Sequence, residues 1–308
     1  MAERWNLKRL TRVDVLVAGA VCLLLVALVP MLLAKSREQS IRRLCAANLS
    51  QIGKTMLIYA NDHEGALPRA GGPTTIWGPT PNWTAVGRYT AFDIHFSHGG
   101  GSATISSSFY LLVKYYEAPT RLFICRGNKG TTEFKLSDIF TDVITNFELA
   151  DAWDFGPMSE AFKHCSYSYH IPYGPFALTT SRGLNLAVAA DRNPFLSSPM
   201  ADAALVGGFK PDLDMFRGTP EQASAGNAIT HGRDGQNVLF LDGRVTFEKR
   251  SYCGVESDNI YLTSLDVQRG SPIGCVPLPR MAQPGNDHDS VLVHDPDVWG
   301  LAGPPWTP

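Results

Sequence analysis

From Val15 to Ala34 the chain runs for twenty residues without a charge, VLVAGAVCLLLVALVPMLLA. At about 1.5 Å of rise per residue, that run matches the roughly 30 Å hydrocarbon core of a bilayer. It is longer than the apolar core of a cleaved secretory signal, about 7–15 residues, and Lys35 and Arg37 follow it. The pattern predicts a transmembrane helix. Beyond it polar residues return, yet Ile41, Cys45, Leu49, Ile52, Met56 and Tyr59 recur every three or four positions. One apolar stripe therefore continues along the same helix, with Arg42, Arg43, Asn48, Gln51 and Lys54 on its polar side. Asn61 to Gly65 and then Pro68 supply the stop, so the helix is expected over 13–62, with Pro30 kinking it or loosening a turn.

The periodicity then changes. Residues 69–108 are rich in Gly, Thr, Pro and Ser around Trp77, Trp83, Tyr89, Phe92 and Phe96, and read as loops and short strands. Those aromatics either form a lid over the helix or present a surface to a partner or glycan. SSFYLLVKYY (107–116) predicts a short helix and LFIC (122–125) a strand. CSYSYHIPY, LNLAVAA and QNVLFLDGRVTFEK have the β-branched and aromatic content of strands. In the last of these, Asp242-Gly243 between two apolar runs predicts a type I′ hairpin, whose two central residues need positive φ. The expected fold class is α+β, a long N-terminal helix packed through its second half on an antiparallel sheet. Residues 1–12 form a basic leader, 63–276 the globular domain, and 277–308 a tail rich in Pro and Asp that follows the surface or stays mobile.

Composition narrows the function classes. A net charge of -2 and a pI near 6.4 provide no basic field, which argues against nucleic acid as a partner. Six cysteines occur with no CxxC pair and no zinc-type spacing. Cys125, Cys165, Cys253 and Cys275 lie beyond the helix, and in an oxidising compartment they form two disulfides or else serve as small buried apolar groups. Three pairings are open, and Cys125 is expected to meet Cys165. Basic residues flank the apolar run on both sides: Arg4, Lys8, Arg9 and Arg12 before it, Lys35, Arg37, Arg42 and Arg43 after. Charge counting leaves the orientation tied. The cysteines and the large polar portion after a first helix favour the N-terminus inside and the bulk outside.

Chemistry is sparse. The common hydrolase, zinc-protease, P-loop and dinucleotide signatures are absent. The best acid/base constellation is Asp191, His231 and Asp242; its plainer reading makes Asp242 a turn residue, His231 a pin for the hairpin and Asp191 a loop hydrogen bonder. His95-x-x-His98 and the group Asp287, His288, Asp289 and His294 are metal candidates without a specific spacing.

LTRVDVLVAGAVCLLLVALVPMLLAKSREQSIRRLCAANLSQIGKTMLIYANDHEGALP resembles the prepilin-type N-terminus of the type IV pilin and type II secretion pseudopilin-like family. Cys45, Asn48, Leu49, Gln51, Ile52 and Gly53 stand at matching places. HGRDGQNVLFLDGRVTFEK is similar to the family's C-terminal His, nine residues, Asp-Gly motif, with ten residues here between His231 and Asp242-Gly243. ADRNP (190–194) and SDNIY (257–261) also resemble it. The resemblance implies a pilin-like fold and a structural rather than enzymatic role, in the bacterial inner membrane with the bulk in the periplasm or another extracytoplasmic space. It implies a single pass of the membrane, self-association or association with other pilin-like subunits, and no obligatory cofactor. It places leader processing around Arg9, Leu10 and Thr11, where Arg9 replaces the usual glycine, and puts Asp14 where a glutamate pairs with a neighbouring subunit's N-terminal amine. Some major pseudopilins bind calcium in a C-terminal loop, which makes Glu256, Asp258 and Asn259 candidate ligands. Two rival expectations remain: a monomeric membrane-tethered extracytoplasmic binding module, and an exported enzyme built around His231.

Overall fold

The computed structural model describes residues 12–95, 100–140, 146–196, 220–264, 274–297 and 299. The chain divides into two compact units, residues 1–41 and 42–308. Helix α1 spans Arg12–Asp62 and its 51 residues include Pro30. Within the first unit its apolar side chains, among them Val15, Leu16, Leu23, Leu24, Val26, Met31 and Leu32, are exposed. This is the one helix among the described residues long and apolar enough to cross a membrane.

The second unit begins on the amphipathic part of α1. Cys45, Leu49, Ile52, Met56, Tyr59 and Ala60 are buried, so five of the six stripe positions expected from the periodicity face the core. Each large side chain among them contributes about 1.5–3 kcal/mol of transfer free energy. After α1 come β1 (Ile76–Trp77), the one-turn α2 (Arg88–Ala91), β2 (Ser102–Ala103) and α3 (Ile105–Tyr116). Strands β3 (Tyr167–His170), β4 (Ala187–Asp191), β5 (Gln236–Phe240) and β6 (Val245–Glu248) follow, then β7 (Thr263–Ser264), β8 (Gly274–Cys275) and β9 (Leu292–Val293). The main sheet is antiparallel throughout, in the order β6-β5-β4-β3-β9. The layout is α+β, and α1 packs closely on the sheet at Gly53, where any side chain would push Leu239 aside. A methyl group there would lie 2.7 Å from Leu239 Cδ1 on β5.

Three expectations are corrected. LFIC is not a strand: Thr120–Phe123 form a 3-10 turn, and Ile124 follows it in extended conformation. The β5–β6 connection is not type I′, because of its two named residues only Gly243 has positive φ (84°). Gly243 N–H donates to Phe240 O, and Phe240 N–H to Arg244 O, giving a three-residue loop that ends in a left-handed glycine. Finally, the stretch from 277 onward is not merely a surface tail. Val291, Leu292 and Val293 are buried, and β9 closes the sheet edge beside β3. An apolar run of three residues within a Pro- and Asp-rich context is too short to show a period, and its pairing partner lies over a hundred residues away.

Beneath the sheet, Phe109, Tyr110, Phe123, Phe134, Phe155 and Tyr169 form an aromatic core in which ring centroids approach to 4.9 Å. Helix α3 is capped by Thr104, whose side chain accepts from Ser107 N–H, and by Asp295, which accepts from Ile105 and Ser106 N–H at 2.8 Å each. A carboxylate across the first turn satisfies donors that the helix leaves open and complements its dipole.

Candidate functional site

The motif that carried the resemblance lies where α1 meets the domain. Cys45 on α1 is disulfide-bonded to Cys125, with the Cα atoms 5.3 Å apart and 80 residues between them in sequence. One turn along, Asn48 Nδ2 donates to Ile124 O (3.0 Å), while Tyr167 OH donates to Cys45 O (3.4 Å). Leu49 fills the core beside them. Cys-x-x-Asn-Leu is thus a docking motif: a covalent bond, a hydrogen bond to the residue next to its partner, and an apolar plug. The expected Cys125–Cys165 pairing is overturned. Cys165 is a buried free thiol whose S–H donates to Tyr167 O, and burial pushes its pKa up to about 12. Cys253 is also a free thiol, and the side chain of Cys275 lies outside the described residues. Cys45 had been counted with the helix, and nothing in its spacing marks it as the partner.

His231 ends a 3-10 turn, Ile229–His231, that Gly232 terminates in the left-handed region at φ 65°. Its Nε2 lies 3.9 Å from Cys125 Sγ, 3.3 Å from Asp191 Oδ2 and 3.2 Å from Asn237 Nδ2. Asp191, the last residue of β4, also accepts from Asn237 N–H at 2.7 Å, and its backbone carbonyl accepts from Tyr261 OH at 2.9 Å. Its other carboxylate oxygen, Oδ1, is buried and has no hydrogen-bond partner among the described residues. All of these groups are sealed from solvent, and the Phe247 ring closes the cluster edge-on to His231 at 6.1 Å. Gly127, two residues after Cys125, allows the two loops to meet, since a methyl group there would sit 2.6 Å from Thr230 O.

Two of the three residues in the proposed acid/base constellation therefore meet, and the third does not. Asp242 sits in the hairpin turn, accepting from Arg244 N–H (3.0 Å) and pairing with its guanidinium at 3.2 Å. The donor atoms of Cys45, Cys125 and His231 lie within 4.8 Å of one another. In the disulfide the two sulfurs bond each other and carry no thiolate charge, so the trio is not a metal centre in this state.

The remaining candidates scatter. Asp14 stands in the first turn of α1, where a carboxylate suits the helix dipole; Arg9, Leu10, Thr11, Phe96 and His98 lie outside the described residues. His95 is exposed and pairs with Asp93. Among the calcium candidates, Asp258 Oδ2 accepts from Ser290 N–H and Asn259 Oδ1 from Tyr261 N–H, while Glu256 is exposed. Burial, and then the charge of Asp289, raise the Asp258 pKa. In the C-terminal group Asp287 lies 3.9 Å from the Arg182 guanidinium, Asp289 accepts from Gly285 N–H, and His294 contacts Ser168 Oγ. His288 N–H donates to Asn286. Trp77 and Phe92 are core, whereas Tyr89 is exposed. Trp83, half-buried, borders a groove of about 480 Å³ with Pro79, Pro81, Met158 and Arg280.

Sequence reasoning missed a second buried polar centre. Asp154 accepts from Thr80 and Ser106 hydroxyls and from Phe155 N–H, and makes a short hydrogen bond to Thr104. Burial first, and the nearby Asp295 carboxylate second, push its pKa up to about 7. Nothing local signals this, because Thr80, and Thr104 with Ser106, lie tens of residues away in two separate stretches. The ADRNP segment did carry a signal. Arg192 donates to the Cys165 and Phe162 carbonyls, and Asn193 Nδ2 bridges Tyr261 O (2.7 Å) and Leu292 O (2.9 Å).

Fold and site together define a helix-led α+β protein whose long helix is covalently fixed to its sheet domain. No protein-family model matches this chain, and no curated protein or solved structure gives a significant match.

Proposed function

We propose that the chain is a membrane-anchored, pseudopilin-like structural subunit of a type II secretion or type IV pilus-like envelope assembly. The supporting observation is the division of labour along α1. Its first part leaves a charge-free apolar surface exposed, and its later part is locked into the domain by burial and a disulfide. Apolar side chains on that scale require lipid or other subunits to cover them. The disulfide favours an oxidising compartment for the domain, consistent with an extracytoplasmic bulk. The role is mechanical: a helix that packs with its neighbours and carries a rigid head.

Intact mass and N-terminal sequencing of the full chain from membranes test the reading, together with in-membrane cross-linking of Asp14→Ala. A mature N-terminus near Leu10 or Thr11, and loss of cross-linked oligomers in the variant, are the expected results. An uncut N-terminus with oligomers indifferent to Asp14 would favour the monomeric tethered binding module, for which the groove beside Trp83 is the supporting feature.

A further inference from the structure

A simple structural disulfide does not require a histidine against one sulfur with a carboxylate behind it. Here His231 Nε2 faces Cys125 Sγ at 3.9 Å with Asp191 Oδ2 at 3.3 Å from the same nitrogen. We propose that His231, supported by Asp191, is the internal base that activates Cys125 for closure of the Cys45–Cys125 disulfide, so that the domain catalyses its own attachment to α1.

The placement of the two cysteines supports this assignment. Cys125 and His231 both belong to loops of the sheet domain, which meet closely at Gly127 and Thr230. Cys45 arrives on the helix. The nucleophile and its base therefore both come from the sheet domain, and the sulfur they act on comes from the helix. Asn237 Nδ2, 3.2 Å from Nε2, supports the tautomer in which that nitrogen accepts a proton. Once protonated, the imidazolium faces the Asp191 carboxylate through Oδ2 at 3.3 Å. The other titratable groups around it are Cys45, Tyr167 and Tyr261, the tyrosines held neutral by burial first and the Asp191 charge next. Arg42, stacked on the far-reaching Phe247 ring at 4.6 Å, has its charge matched by Asp234 at 2.5 Å.

The step balances with a small disulfide such as oxidised glutathione. Glutathione first forms a mixed disulfide on Cys45, releasing one reduced thiol. The Cys125 S–H proton passes to His231 Nε2, and the resulting thiolate attacks Cys45 Sγ. The Cys45–glutathione bond breaks, and the second glutathione leaves as a thiolate that takes up a proton. Two protein thiols are oxidised and one small disulfide is reduced.

The test uses the full chain in detergent. In Cys45→Ser, Cys125 ionisation is followed by far-ultraviolet thiolate absorbance, with Cys45→Ser/Cys125→Ser subtracted to remove the other thiols. The expected midpoint is at least about one pH unit below the ordinary thiol value of about 8.5, a tenfold or larger change in ionisation. Adding His231→Gln is expected to return it toward that value and to slow glutathione-driven closure of the reduced wild-type background about tenfold near pH 6. A Cys125 midpoint at or above the ordinary value overturns the proposal without recourse to the histidine variant. So does a low midpoint that survives in His231→Gln chains retaining the wild-type circular dichroism.

Discussion

Removing the Cys45–Cys125 bond isolates the largest single constraint on the domain. The bond closes a loop with a sequence separation of 80 residues. The chain-entropy relation for that length gives about 4.5 kcal/mol, and measured native disulfides usually contribute about 2–4 kcal/mol. For a domain of this size each 1 kcal/mol moves the midpoint by about 2–4 °C, so the loss of Tm is about 5–15 °C. The substitution Cys45→Ser/Cys125→Ser removes the bond without leaving a thiol beside His231. Thermal unfolding of the full chain in detergent, followed by near-ultraviolet circular dichroism, reads the domain rather than the apolar helix. The wild type under a phosphine reductant is expected to show the same shift where reduction reaches the buried bond. A double variant melting within about 2 °C of the oxidised wild type would refute the reasoning, because the burial of Leu49, Ile52 and Met56 would then hold α1 unaided.

Three other outcomes follow from the packing and the buried charges. Gly53→Leu drives a side chain into Leu239 and is expected to cost about 1–3 kcal/mol or more of domain stability by denaturant titration. Asn193→Ala strands the buried carbonyls of Tyr261 and Leu292 and is expected to cost roughly 2–5 kcal/mol, loosening β9 first by hydrogen exchange. Asp154 has its folded pKa raised from 3.8 to about 7, so the folded state holds a proton that the unfolded state has released. Its contribution is present at low pH and is lost as pH rises from about 4 to about 7. The Tm of wild type relative to Asp154→Asn should therefore decline across that window; a flat or rising difference would contradict the assignment.

The long helix and its two surfaces were legible because a helical period is a local property. The charge-free run and the stripe from Cys45 to Tyr59 can be read within single windows, and the hairpin strands flanking Asp242-Gly243 likewise. The sequence by itself therefore determined an apolar helix of about the right length to span a bilayer, an amphipathic continuation, and an antiparallel α+β head. It also brought forward His231 and Asp191 as residues of interest. Tertiary structure alone decided what they touch. The Cys45–Cys125 bond, the Asp191–His231 contact and the Asp154 centre each join segments tens of residues apart, and no local spacing encodes them. The same holds for β9, whose short apolar run Val291–Val293 gains meaning only beside β3. Side-chain periodicity records which face a residue presents, whereas partner choice depends on how the chain closes its long loops, and that is settled by packing over the whole domain.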